Sequence, residues 1–232
     1  MVAKLDGGCV VTTLREGEPL RDGALTIWNH FRGEAVSLRV IELDGSATLR
    51  NESAEEVLYV IDGSGTANGQ DVDTNTGIYF PPATGLTIEG KITFVSVQCE
   101  ARDGRGAPSP IRAGEGTGEG ASPPCRIVSL RDRPMQRTGD RWYRELISQQ
   151  VTQFVGAIPP GRAPDHHHLY EEVICILDGE GTMWAGASHT PIATGSCIFL
   201  PRKQQHCVEN RGTGELRLLG VFYPAGSPAA RY

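Results

Sequence analysis

The sequence predicts an all-β protein made of two tandem barrels, and three observations carry that prediction. Short runs rich in Val, Ile, Leu, Phe and Tyr recur along the chain with Gly, Pro, Asn and Asp between them, the signature of strands joined by tight turns. Long segments with the 3.6-residue apolar period of an amphipathic helix are missing from the pattern. The third observation is a duplication: GSATLRNESAEEVLYVIDGSGT (45–66) aligns without a gap on GRAPDHHHLYEEVICILDGEGT (161–182), with nine of 22 positions identical. The likeness resumes after small insertions, where TGIYFPPATG (76–85) answers TGSCIFLPRKQQH (194–206). At 232 residues the chain has room for two units of roughly 100 residues, each able to bury its own core.

The elements follow in order. AVSLRVIEL (35–43), EVLYVIDG (56–63) and ITFVSVQ (92–98) read as strands of the first half, because β-branched and aromatic side chains suit a pleated, half-buried surface. RDGRGAPSPIRAGEGTGEGASPP (102–124) is dense in Gly, Pro and Ser with almost no large apolar residue, so it reads as a flexible connection. This divides the chain into a first barrel at 1–101, a linker at 102–124 and a second barrel at 125–232. RDRPMQRTGDRWYREL (131–146) has the composition closest to a helix, but Pro134 and Gly139 break it too early for a long one. TQFVGAI (152–158), EVICILDG (172–179), SCIFLP (196–201) and LRLLGVFY (216–223) are the strands of the second half.

Composition narrows the function. The 22 basic and 28 acidic residues give a net charge of −6 with no Lys/Arg block, which argues against nucleic acid or an anionic membrane as partner and leaves a small-molecule substrate. MVAKLDGGCVVTT lacks the apolar core of a secretory signal, and no apolar run approaches the roughly 18 residues of a membrane span, so a cytoplasmic location is expected. Cysteines 9, 99, 125, 175, 197 and 207 show no CxxC spacing, which suits reduced thiols; Cys175, Cys197 and Cys207 sit in apolar runs as buried fillers.

Three of the six histidines stand together at 166–168. On extended backbone His166 and His168 point to one face and His167 to the other, and Glu172 has the parity of the first pair. His206, 34 residues after Glu172 and just beyond SCIFLP, is placed to join them from a neighbouring strand. Three neutral imidazoles and a carboxylate suit a divalent first-row metal. His30 and His189 have no partners at such spacing.

These residues resemble the cupin family, whose double-stranded β-helix (jelly-roll) barrel carries two motifs. G-x(5)-H-x-H-x(3,4)-E-x(6)-G is matched by Gly161, His166, His168, Glu172 and Gly179, with one residue fewer before the first histidine. G-x(5)-P-x-G-x(2)-H-x(3)-N is matched by Gly195, Pro201, His206 and Asn210, with Lys203 in place of the usual glycine. The resemblance implies a bicupin whose second barrel holds one divalent transition metal (Fe, Mn, Ni, Cu or Zn) on His166, His168, Glu172 and His206. In the first half Arg50, Glu52 and Glu56 take the places of His166, His168 and Glu172, and Thr87 answers His206, so that half is expected to be metal-free.

Octahedral coordination by four side chains leaves two adjacent positions open. Parity puts Ile174, Ile176 and Val208 around the metal, an apolar floor. Arg144, Gln149, Gln150, Arg162, Tyr170 and Trp184 are candidates for contacts at the opening; no general base and no organic cofactor is named. The expected function is a metal-dependent enzyme acting on a small organic substrate, of Fe(II)-oxygenase type. A non-redox isomerase or lyase, and a non-enzymatic metal or ligand carrier, are the alternatives. The two halves should pack about a pseudo-twofold axis, and a homodimer is compatible with that arrangement.

Overall fold

The computed structural model describes residues 2–100 and 125–229, so the connection read at 102–124 lies outside the described residues. Strands of the first half are β1 (Ala3–Lys4), β2 (Val10–Thr13), β3 (Leu20–Asp22), β4 (Leu25–Arg32), β5 (Val36–Asn51), β6 (Glu55–Ala67), β7 (Gln70–Asp73), β8 (Thr76–Phe80) and β9 (Thr84–Cys99). Those of the second are β10 (Arg126–Ser129), β11 (Gln136–Thr138), β12 (Arg141–Ser148), β13 (Thr152–Ile158), β14 (Gly161–Arg162), β15 (Glu171–Asp178), β16 (Glu180–Ala185), β17 (Ser188–Ala193), β18 (Ser196–Leu200), β19 (His206–Asn210) and β20 (Leu216–Tyr223). Among the described residues the helical content is two single 3₁₀ turns, Asp6–Gly8 and Leu130–Asp132. The stretch 131–146 becomes the end of the second turn followed by β11 and β12. Among the described residues no helix is long and apolar enough to cross a membrane.

The second barrel consists of an eight-stranded sheet, β1-β2-β18-β15-β20-β13-β12-β11, and a four-stranded sheet, β14-β19-β16-β17. Their facing side chains, among them Ile174, Ile198, Leu218, Phe222, Met183 and Val208, form one apolar core. In the first barrel β5, β6 and β9 are long enough to run through both walls, and β5 pairs with β9 over their whole length. Their inward residues, including Ile41, Leu58, Val60, Ile88 and Phe94, make a second core.

A third apolar cluster joins the barrels, and it explains why VLYVI (57–61) and VICIL (173–177) are apolar without interruption. Side chains alternate across a strand. Leu58, Val60, Ile174 and Ile176 fill the barrel interiors, whereas Val57, Tyr59, Val173 and Cys175 meet at the junction. Strands covered on both faces lose the polar alternation of a solvated sheet. The buried carboxylate of Glu171 adds a polar tie, accepting hydrogen bonds from the backbone N–H groups of Glu34 (2.8 Å), Ala35 (2.8 Å) and Val36 (3.0 Å). Gln153 Nε2 donates to Leu58 O at 3.2 Å.

The sheets do not follow the division of the chain at 102–124. β2 pairs with β18 of the second barrel, Thr12 opposite Cys197, while β10 pairs with β8 of the first, Ile127 opposite Ile78. Residues 3–13 thus complete the second sheet and 126–129 the first. Each donated strand covers an edge whose backbone N–H and C=O groups would otherwise stand open. Such pairing depends on which edge is free in three dimensions, which a repeat alignment does not register.

Candidate metal centre

His166, His168 and His206 come together, with one ring nitrogen from each lying within 4.8 Å of the others. Nε2 of His168 and of His206 stand 3.4 and 3.5 Å from Oε2 of Glu172. The backbone that does this is not a regular strand. His166 and His206 form an isolated antiparallel bridge, with N–H donated each way at 3.0 and 2.9 Å, and Lys203 N donates to His168 O at 2.7 Å. Glu172 enters from β15, where it lies between Leu200 of β18 and Phe222 of β20. His167 falls outside the cluster. His30 Nε2 donates to Leu14 O (2.9 Å) and His189 stacks on Trp184, both away from it.

The donor chemistry fits a metal ion. Nδ1 of His166 donates to Pro164 O at 3.0 Å and Nδ1 of His206 to Gln204 O at 2.8 Å, which leaves each Nε2 as a lone-pair donor. Oε2 of Glu172 is buried and makes no hydrogen bond. A buried, unsatisfied carboxylate oxygen is costly, and a cation about 2.0–2.3 Å from it and from the imidazole nitrogens would offset that cost. The protonation of His166, His168 and Glu172 agrees with metal binding, whereas His206 holds its proton more firmly until a metal displaces it. Burial, with repulsion from His206, pushes His166 down to about 4, and burial also lowers His168. Burial pushes Glu172 up, but His206, His168 and His166 outweigh it and hold the carboxyl below its ordinary value. His206 is raised, because Glu172 overcomes its burial.

The cluster opens on a cavity of about 100 Å³. Ile174, Val208, Phe154, Leu218, Phe222 and Ile158 give it apolar walls; Ile176 lies in the core but does not line it. Arg141, Trp142, Tyr143 and Thr138 also line it, and sequence reasoning missed all four. The available signal was the two-residue spacing of Arg141 and Tyr143 within a stretch weighed for helix rather than strand. The polar residues named in advance stand elsewhere. Arg144 donates to Leu130 O at 3.1 Å, Arg162 lies 4.3 Å over Trp184, and Gln149 and Gln150 sit in the turn between β12 and β13. Tyr170 stacks on His168, ring centroids 4.8 Å apart, and so backs a cluster residue.

In the first barrel the equivalent place holds an internal cation. Leu58 pairs with Ser96 and Ser96 with Arg39; in the repeat, Ile174 pairs with Gly220 and Gly220 with Phe154. Arg39 is therefore the counterpart of Phe154. Its Nη2 donates to Glu56 Oε1 at 2.6 Å, Gln98 donates to Oε2 at 3.2 Å, and Asn51 and Ser96 complete the set around that buried carboxylate. Arg50, the residue singled out from the alignment, is exposed and faces Gly85 across the ladder, as His166 faces His206. Gly85 rather than Thr87 is thus the positional answer to His206.

Comparison with known proteins adds three findings. Residues 154–222 match the cupin domain family. The auxin-binding protein 1 of Arabidopsis thaliana is 32% identical over 73 residues, 28% of this chain and 37% of that protein. The uncharacterized protein MJ1618 of Methanocaldococcus jannaschii is 27% identical over 78 residues, 34% and 62% of the two chains, so the match spans less than two thirds of either relative. Among solved structures, Bacillus subtilis oxalate decarboxylase superposes with a TM-score of 0.72 at 14% identity, covering 94% of this chain and 78% of that one. The putative glyoxylate-induced protein of Pseudomonas aeruginosa gives 0.73 at 15%, covering 99% and 94%. These last two likenesses extend the fold to nearly the whole chain.

Proposed function

The chain belongs to the cupin superfamily, and from that premise we propose that its second barrel is a metal-dependent enzyme site acting on a small organic molecule in an oxygen-dependent reaction. His166, His168, Glu172 and His206 hold the metal in this reading. The observation that carries it is the buried, unsatisfied Oε2 of Glu172 facing Nε2 of His168 and His206, with the Nδ1 atoms of His166 and His206 committed to carbonyls. A bound divalent ion would supply Lewis acidity and, if redox-active, electron exchange with dioxygen.

The chain's own residues divide the remaining work. The Pro164 and Gln204 carbonyls fix the tautomers and ring orientations of His166 and His206, and Tyr170 braces His168. Phe154, Phe222, Val208 and Ile174 limit water around the reacting groups. Apart from Glu172, no carboxylate lines the cavity among the described residues, and the Tyr143 hydroxyl is engaged with Gln136 at 2.9 Å. The apolar walls suit an organic substrate and dioxygen, which supports the oxygen-dependent reading.

Elemental analysis of protein purified without added metal should find about one equivalent of a first-row metal per chain, and His206→Ala should lose it. Full occupancy in His206→Ala contradicts the ligand set. Oxygen-electrode screening of small hydroxy acids, diketones, catechols and thiols then tests the reaction. Turnover at the same rate under argon moves the assignment to the isomerase or lyase class.

A further inference from the structure

We infer that the segment after β20, residues 225–228, is a strap that covers the mouth of the cavity and, through Tyr170, fixes the ring of His168; this rests on the metal-dependent reading above. His168 is the imidazole that needs such support. The Nδ1 atoms of His166 and His206 are held by carbonyls, whereas Nδ1 of His168 is buried and has no hydrogen-bond partner among the described residues. Its ring is held by packing instead: Tyr170 stacks on it with ring planes 11° apart, and Phe222 lies 5.2 Å from it and 4.6 Å from Tyr170. A metal ligand whose second nitrogen is not hydrogen-bonded depends on such neighbours for its orientation.

Tyr170 is itself held by the strap. Its hydroxyl donates to Ser227 O at 3.4 Å, and the strap backbone lies so close to its ring that a Cβ at Gly226 would stand 2.2 Å from Cε1. Thr152 of β13 ties the same glycine twice, donating to Gly226 O at 2.9 Å and accepting from Gly226 N at 3.2 Å, while Ala225 N donates to Gln150 O at 2.7 Å. Pro228, next along, lines the cavity. Thr138, Arg141, Trp142, His166 and Pro228 are the half-buried residues of the lining and the rest are buried, so these mark the mouth and the strap supplies one side of it. Residues 225–228 are half-buried and belong to neither sheet, which lets them lift while the barrel stays folded. Lifting opens the mouth and withdraws the support of Tyr170, and with it that of His168.

The test uses the full chain loaded with cobalt(II), whose visible absorption reports ligand geometry, and follows cobalt release to EDTA. Thr152 is buried outside the cavity lining, so Thr152→Val cuts the tie to Gly226 without touching the candidate ligands. Gly226→Val pushes the strap off Tyr170, and Gly226→Ala serves where the larger change prevents folding, which circular dichroism checks. Both variants should release cobalt about tenfold faster, the scale of one or two lost hydrogen bonds, and show an altered cobalt spectrum. Thr152→Ser keeps the hydroxyl and should stay near wild type. In metal-free protein, modification of His168 by diethyl pyrocarbonate, read by mass spectrometry, should quicken in the same two variants and not in Thr152→Ser. Three results would overturn the inference: release and modification rates equal to wild type in both variants, an unaltered cobalt spectrum, or the same loss in Thr152→Ser as in Thr152→Val. Wild-type protein that takes up no first-row metal refutes the metal reading instead, and the modification of His168 then decides the strap by itself.

Discussion

Glu56 and Glu172 occupy the same position of the repeat and are 0% and 5% exposed, yet they are neutralised differently. Arg39, Asn51, Ser96 and Gln98 surround the first, while three imidazoles face the second. Gly220 belongs to this contrast, since a Cβ there would lie 2.3 Å from Phe154, the ring that replaces Arg39. Arg39→Ala leaves a buried carboxylate without its cation, so a loss of about 3–5 kcal/mol is expected by urea denaturation, with metal content unchanged. The histidines predict a pH dependence. His166 is held at about 4 against 6.5 for the free side chain, so between those values the unfolded chain binds the extra proton. The His166 contribution to the stability of the metal-stripped protein should therefore be full above about 6.5 and fall as pH drops toward 4, opposed by the raised His206, whose contribution is lost as pH rises; thermal scans of the metal-stripped protein and of His206→Ala across that range separate the two. The lowered carboxyl of Glu172 acts in the same direction as His166. His206, raised above 6.5, is the imidazole whose proton first competes with a metal, so apparent metal affinity should decline with acidification from above that value.

β15 shows what one strand contributes to two environments. Consecutive glutamates point to opposite faces: Glu172 to the histidines, and Glu171 across the junction to the amides of residues 34–36. The first barrel thereby pins the strand that carries the carboxylate of the candidate site. Removing that acceptor strands three backbone N–H groups, so Glu171→Ala should cost about 3 kcal/mol, read as a shift in the denaturation midpoint. Exchange of edges is the other lesson at this scale. Deleting residues 2–14 uncovers the backbone of β18, and the shortened protein should self-associate in light scattering while the full chain does not change with concentration in the same way.

At the scale of the molecule, the apolar junction built from Val57, Tyr59, Val95, Val173, Cys175, Leu219 and Val221 makes the two barrels one folding unit. Engineered cleavage within 102–124 should leave two fragments that co-elute under native conditions and part in denaturant; fragments that separate without denaturant would show the junction to be weak. A pair of exchanged strands and a shared apolar face together make independent tumbling of the halves untenable.

Much of this was legible in the residues themselves. Val-, Ile- and aromatic-rich runs marked the long strands, and the repeat showed two equivalent units. The spacing of His166, His168, Glu172 and His206 selected the side chains that the fold gathers, because local parity and motif spacing are written along the chain. Contacts between segments distant in sequence were not legible. Nothing near Arg39 in the chain announces Glu56, Arg141 gave no sign that it lines the cavity while Arg144 turns away, and β2 and β10 pair with whichever edge the folded barrels leave open. The physical reason is common to all three: pairing register and edge availability are settled by how whole sheets pack, and a side chain's neighbours across a barrel depend on that closure rather than on its own sequence.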